Sequence, residues 1–207
     1  MNSDKVWLDE GRKLHGICSE IAAAKDNGLT VLAIAHFEST FASLEAALRE
    51  RPLDYSVYSA FDYSTLCSPG ERDGPGRVWV ALARDFSARG VPAREKPEPV
   101  RLSIIVAEHH PMPARDDAVM EAAASLPCKS QIDFHTSLAD PLLSRFGGEA
   151  VRSLFQRLGL DEETAISHPM VSAAIRKAQE RIGKQVGQDI HARSADEWFR
   201  HNLAGTA

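Results

Sequence analysis

The 207-residue chain has no run of apolar residues long enough to cross a bilayer. Its first residues, MNSDKVWLDEGRK, lack the apolar core of a secretory signal. A cytoplasmic protein without an integral membrane segment is the expectation. Cysteine is scarce. Cys18, Cys67 and Cys128 lie far apart and in no CxxC arrangement, so reduced thiols are expected and a cysteine metal site is not. Positive charge is not in excess, with 24 Lys and Arg against 29 Asp and Glu. A net charge of −5 argues against a general nucleic-acid binder, whose footprint is basic. No G-x-x-x-x-G-K-[ST] phosphate loop occurs, so this chain alone is not a complete P-loop ATPase. No G-x-S-x-G turn frames a serine nucleophile. The best metal-binding pair is His109-His110, but adjacent residues on a strand point to opposite faces, so no metal is expected.

Hydrophobic content of 43% and charged content of 26% fit an ordinary globular domain with one real core. Val6 to Ala24 reads as a helix with Leu14, Ile17, Cys18 and Ile21 on one face, closed by Asn27-Gly28. Thr30–Ala35 is continuously apolar, the mark of a parallel strand covered on both sides. Ser39 is placed to cap the next helix, whose inner face is Phe41, Leu44, Ala47 and Leu48. Asp54–Ser59, Val78–Ala83, Leu102–Ala107 and Ile132–Thr136 read as further strands, with a helix over about 114–125. The loop from Cys67 to Arg77 and the polar stretch from Asp85 to Pro99 separate them. Asp133 and His135 share one strand face, either as a polar pair lining a groove or, as expected, on the strand's wet side. This βαβ rhythm predicts an α/β fold, a mostly parallel sheet with helices on both faces.

Beyond the last strand the pattern turns helical. Ser137 is placed to cap a helix with Leu138, Leu142, Leu143 and Phe146 inside, and Gly147-Gly148 stops it. A second helix carries Val151, Leu154, Phe155 and Leu158. Ser167-His168-Pro169 opens a third, with Val171, Ile175, Ala178 and Ile182 on its apolar face. The same words, in the same order, make this stretch resemble the SecA-type preprotein translocase motor. There the second nucleotide-binding (RecA-like) domain ends F-Y-L-S-L-E-D-x-L-M-R-x-F, then G-x-x-x-L-G-[ML], then x-I-x-H-x-M-V-x-x-A-I-x-x-A-Q. Phe134, Ser137, Leu138, Asp140, Leu143, Arg145 and Phe146 match the first segment, and Leu158-Gly159-Leu160 the second. Ile166, His168, Met170-Val171, Ala174-Ile175 and Ala178-Gln179 match the third. Gly28 to Ala35 looks like the family's first strand of this domain, and Asp189-Ile190 falls where its scaffold helix has D-I-R. The resemblance implies a RecA-like domain over 1–158 and a C-terminal helical extension over 159–207.

The residues that bear charge in the family are mostly gone. The arginine-rich segment before the F-Y-L-S-L strand is replaced ungapped by an alanine-rich helix, with Met120, Ala122 and Ser125 at the arginine positions. Apolar side chains do not supply the positive charge that stabilises phosphoryl transfer. Ala88-Arg89-Gly90 echoes the family's A-G-R-G-T-D loop, and Glu108 and His110 remain from T-E-R-H. Arg84, Arg89, Arg94, Glu108 and His110 are therefore the candidate nucleotide or anion residues, although ATP or ADP binding is not expected. The leading expectation is a non-catalytic domain that binds a protein partner. Its candidate surfaces are the cleft side of the sheet and a C-terminal anchor of Trp198, Phe199 and Leu203, with packing of that helix onto the domain as the bland reading. The other readings are one half of a split translocation ATPase, a nucleotide sensor without hydrolysis, and a homodimer through the former cleft face.

Overall fold

A computed structural model describes residues 3–58, 66–67, 76–87, 98–146, 153 and 164–203. The strands are β1 (Ser3–Trp7), β2 (Thr30–Ala35), β3 (Ser56–Val57), β4 (Val78–Leu82), β5 (Glu98–Val106) and β6 (Cys128–Ser137). They form one sheet in the order β1-β6-β5-β2-β4-β3, and every pairing is parallel. The expected α/β architecture is therefore what the chain adopts. Ala33 of β2 sits between Val80 of β4 and Ile105 of β5, which fixes the register at the centre.

Helices α1 (Glu10–Asp26) and α2 (Glu38–Arg49) cover one face. Their Ile17, Cys18, Ile21, Leu44 and Leu48 pack on Val31, Ala33, Val80 and Ile105. Helix α3 (Pro113–Ser125) covers the other, with Val119, Ala122 and Ala123 on Leu32, Ile34, Ile104 and Val106. Both faces of the central strands are thus buried, which is why they are apolar at consecutive positions. A third core lies where α4 (Pro141–Phe146), α5 (Pro169–Gly183) and α6 (Ala195–Leu203) close over Val6 and Phe37. His168 caps α5 as its sequence announced, its side chain accepting from the Met170 amide, with Pro169 in the first turn.

The structure corrects several expectations. Val6 and Trp7 are strand, not helix. Asp9 has extended backbone and its side chain accepts from the Arg12 amide, so α1 starts only at Glu10. Gly28, with φ 72°, ends α1 in the left-handed region. Ser39 lies inside the first turn of α2 rather than capping it. Ser137 belongs to β6, and its hydroxyl donates to Asp140, which directly precedes α4. The Asp54–Ser59 strand shrinks to β3, and β5 and β6 are longer than expected.

Cys67 and Cys128 are joined by a disulfide across 61 positions, leaving only Cys18 as a free thiol. The expectation of three reduced thiols fails because the fold, not sequence spacing, brings the start of β6 beside Cys67. Val151, Leu154, Phe155 and Leu158 of the expected second helix, and Arg89 and Arg94, lie outside the described residues. Among the described residues no helix is long and apolar enough to cross a membrane.

Candidate functional site

Helices α2 and α3 leave the adjacent strands β2 and β5 on opposite faces. In open α/β sheets that reversal opens a crevice at the carboxyl ends of the strands, the usual ligand position. A helix N-terminus there offers free amides to an anion. Here the anion is internal. The Glu108 carboxylate accepts from the amides of His36 and Phe37, both at 3.0 Å, and from the Thr40 hydroxyl at 2.7 Å. Burial is the largest influence on Glu108 and pushes its pKa up, while Lys13, Thr40 and these donors act the other way.

Lys13 lies on the α1 side of the crevice and is 2% exposed. Its ammonium donates to both Asp140 oxygens at 3.1 Å and lies 2.8 Å from Glu10. Burial disfavours its charge, but Asp140, Glu10 and Glu108 outweigh that and hold its pKa above the ordinary lysine value. Asp140 also accepts from the Thr136 hydroxyl and the Ser137 amide. Burial works against its charge too, yet Lys13 and these hydrogen bonds keep its pKa low.

On the α3 side a second buried network centres on Asp116. Its carboxylate accepts from His109 Nδ1 at 2.7 Å, Gln179 Nε2 at 2.6 Å and the His110 amide at 3.0 Å. His36 Nε2 lies 2.8 Å away. His109 Nε2 is 3.2 Å from Asp4. Burial disfavours a charged His109, but Asp116 and Asp4 prevail and push its pKa up to about 9. Asp116 is held far below the usual carboxylate range, because His109 and His36 overcome its burial. His110 goes the other way, down to about 3, through burial and repulsion by His36. Its Nδ1 accepts from the Met112 amide, as a neutral ring can. Gln179 also donates to the His110 carbonyl and so locks α5 onto the crevice.

Between α2, α3 and the turn before α6 lies a cleft of about 640 Å³. Phe86, Val119 and Trp198 line its floor, with Arg84 and Arg115 at its rim. Arg84 is bridged to Glu38. Arg115 donates through Nε to Asp189, which also accepts from the Trp198 indole at 2.7 Å. The Arg115 guanidinium and the indole help keep Asp189 ionised below its ordinary pKa, against the cost of burial.

Of the expected anion residues, Arg84 and His110 line this cleft, whereas Glu108 lines a separate cavity of about 280 Å³ with Lys13, Thr40 and Asp140. Glu108 and His110 are themselves buried, at 6% exposure each. Trp198 and Phe199 are 0% and 2% exposed and pack with Val6, Leu142 and Ile175, so they are not a surface anchor. Leu203 packs on the same cluster. Ala122 is buried against the sheet, and the Ser125 hydroxyl donates within its own helix. Asp133 and His135 are buried, contrary to the wet-side expectation. β1 and α1 cover them: Ser3 and Lys5 donate to Asp133, and Trp7 Nε1 donates to His135 at 3.0 Å.

Sequence reasoning missed Asp116, Lys13, Gln179 and Asp189. Lys13 and Asp116 showed only as charges on helices that the fold turns inward, while Gln179 and Asp189 were matched as positions of the resemblance without a role in the site. Among the described residues no cluster of three or more metal-ligating side chains is arranged to hold an ion. Asp116, Asp140 and Glu108 are each hydrogen-bonded to several donors.

No family model matches this chain. Among solved structures it is similar to the C-terminal part of the Fun30 ATPase domain. That likeness has 13% sequence identity and a TM-score of 0.45, and covers 83% of this chain and 54% of that one. The chain thus spans about half the length of that relative.

Proposed function

We propose that this chain is a non-catalytic relative of the second RecA-like domain of the SecA-type motor, acting as a protein-binding accessory module, with protein translocation as its context. One observation carries the reading. The His36 and Phe37 amides, in the turn that leads from β2 into α2 at the crevice, are taken by the buried carboxylate of Glu108. A phosphate entering there meets a side chain that already satisfies those donors and that repels it when ionised. The loss of charge at Met120, Ala122 and Ser125 agrees with this, since the packing positions of the resemblance are kept while its arginines are not.

The test is thermal unfolding of the purified chain with and without millimolar ATP, ADP and magnesium, beside a phosphate-release assay. No change in Tm and no turnover are expected. A ligand present at about 100 times its Kd adds about 2.7 kcal/mol, so a nucleotide site would be plain in the melting curve. A clear nucleotide-dependent rise in Tm would overturn the reading. So would ATP turnover that appears with a second subunit and is lost in Arg84→Ala, the result expected of half a split ATPase.

A further inference from the structure

We infer that the cleft between Arg84 and Arg115 is the docking site of this module, and that it takes an acidic peptide segment with one apolar anchor residue from a partner protein. The inference rests on the partner-binding reading and names the chemistry of the partner. Three observations lead to it. The cleft, at about 640 Å³, is the size of pockets that accept a bulky side chain with its flanking groups. The apolar part of its floor is fixed, because Phe86, Val119 and Trp198 are 5%, 2% and 0% exposed, and the rings of His36 and His110 line it beside them. Its rim is cationic towards solvent. The Arg84 and Arg115 side chains are 53% and 55% exposed, while the Glu38 and Asp189 carboxylates that hold them are 26% and 21% exposed.

That asymmetry decides the sign of the ligand. One carboxylate engages at most two of the five N–H groups of a guanidinium, so the exposed side of each arginine keeps donors for a second acceptor. Glu38 and Asp189 fix the two forks in place, which lowers the entropy lost when an incoming carboxylate binds. Phosphate is the less suitable occupant, because the N-cap amide of the nearby helix, that of Phe37, already serves Glu108 and the Ser39 amide serves the Arg193 carbonyl. A peptide placing a phenylalanine or leucine on the floor and Asp or Glu on either side satisfies both features together.

The test uses the full chain and fluorescein-labelled heptapeptides followed by anisotropy. The probe Gly-Asp-Glu-Phe-Asp-Glu-Gly is compared with versions carrying Lys in place of the acids, or Gly in place of Phe. The acidic peptide with its anchor is expected to bind saturably, at least about tenfold more tightly than either control, a difference of about 1.4 kcal/mol. Arg84→Ala with Arg115→Ala should weaken it by a similar factor, and Arg115→Lys alone by less, with circular dichroism confirming that each variant is folded. Equal binding of the lysine peptide, unchanged affinity in the folded double variant, or no saturable binding would overturn the inference. With nucleotide still without effect on Tm, the non-catalytic reading would survive that failure. Displacement of the peptide by ATP would instead mark a phosphate site and overturn both.

Discussion

Replacing Asp116 by asparagine keeps the shape of the side chain and removes its charge. His109 then loses the anion that holds its proton inside the fold and keeps Asp4, 3.2 Å from Nε2, with the Phe134 ring stacked against it. Two routes give the cost. Removing one partner of a buried ion pair typically costs 3–5 kcal/mol. Independently, a histidine moved from 6.5 to about 9 carries about 3 kcal/mol, at about 1.4 kcal/mol per pH unit. The two overlap and are not summed; the second is net of burial and includes Asp4, so the expected loss at pH 7 is about 3 kcal/mol.

The pH dependence follows from the direction of the shift. A pKa raised in the folded state stabilises fully below the ordinary histidine value, and that stabilisation disappears as pH rises through about 9. The gap between wild type and Asp116→Asn should therefore be widest near pH 6.5 and narrow clearly by pH 9.5. Urea unfolding followed by circular dichroism at pH 6.5, 8 and 9.5 measures it. A loss below about 1 kcal/mol at pH 6.5, or a gap that stays constant across the series, would refute the buried His109–Asp116 ion pair.

Two further predictions concern packing and cross-linking. A Cβ at Gly16 would overlap the Trp7 ring, so Gly16→Ala should cost about 1–3 kcal/mol by overpacking, whereas Gly187→Ala, with nothing within 4 Å, should stay within about 0.5 kcal/mol. Equal melting temperatures for the two variants would contradict the seating of α1 on Trp7. Thiol labelling in denaturant should count one free cysteine without reductant and three with it, and reduction should lower stability by about 2–4 kcal/mol. Three thiols labelled without reductant would remove the Cys67–Cys128 bond.

The sheet was legible because its signal is local. TVLAIA, VWVAL and LSIIV are apolar at nearly every position, as a short strand covered on both faces is. The opening of α5 was legible for the same reason, since His168 and Pro169 act on their own helix. Val6 and Trp7 failed because a short edge strand and the first turn of a helix look alike until Asp9 is seen to cap. The disulfide failed because 61 intervening positions hold no record of which cysteines meet. Asp133 and His135 failed through a sound rule wrongly closed: polar residues alternate to one face, but here α1 lies over that face and supplies Glu20.

The candidate site was half legible, and the division has a physical cause. What a sequence shows at a charged position is the charge, while its role depends on where the counter-charge lies. Asp116 and Asp117 are adjacent acids on the same helix. One is buried among His109, His36 and Gln179; the other sits at the surface against Arg176. Lys13 and Asp140 are separated by 127 positions and meet in the interior. Glu108 was named among the candidate nucleotide or anion residues; in the fold two amides and a hydroxyl donate to its own carboxylate. The α3 segment divides in the same way, presenting alanine to the sheet at Ala122 and Ala123 and arginine to solvent at Arg115.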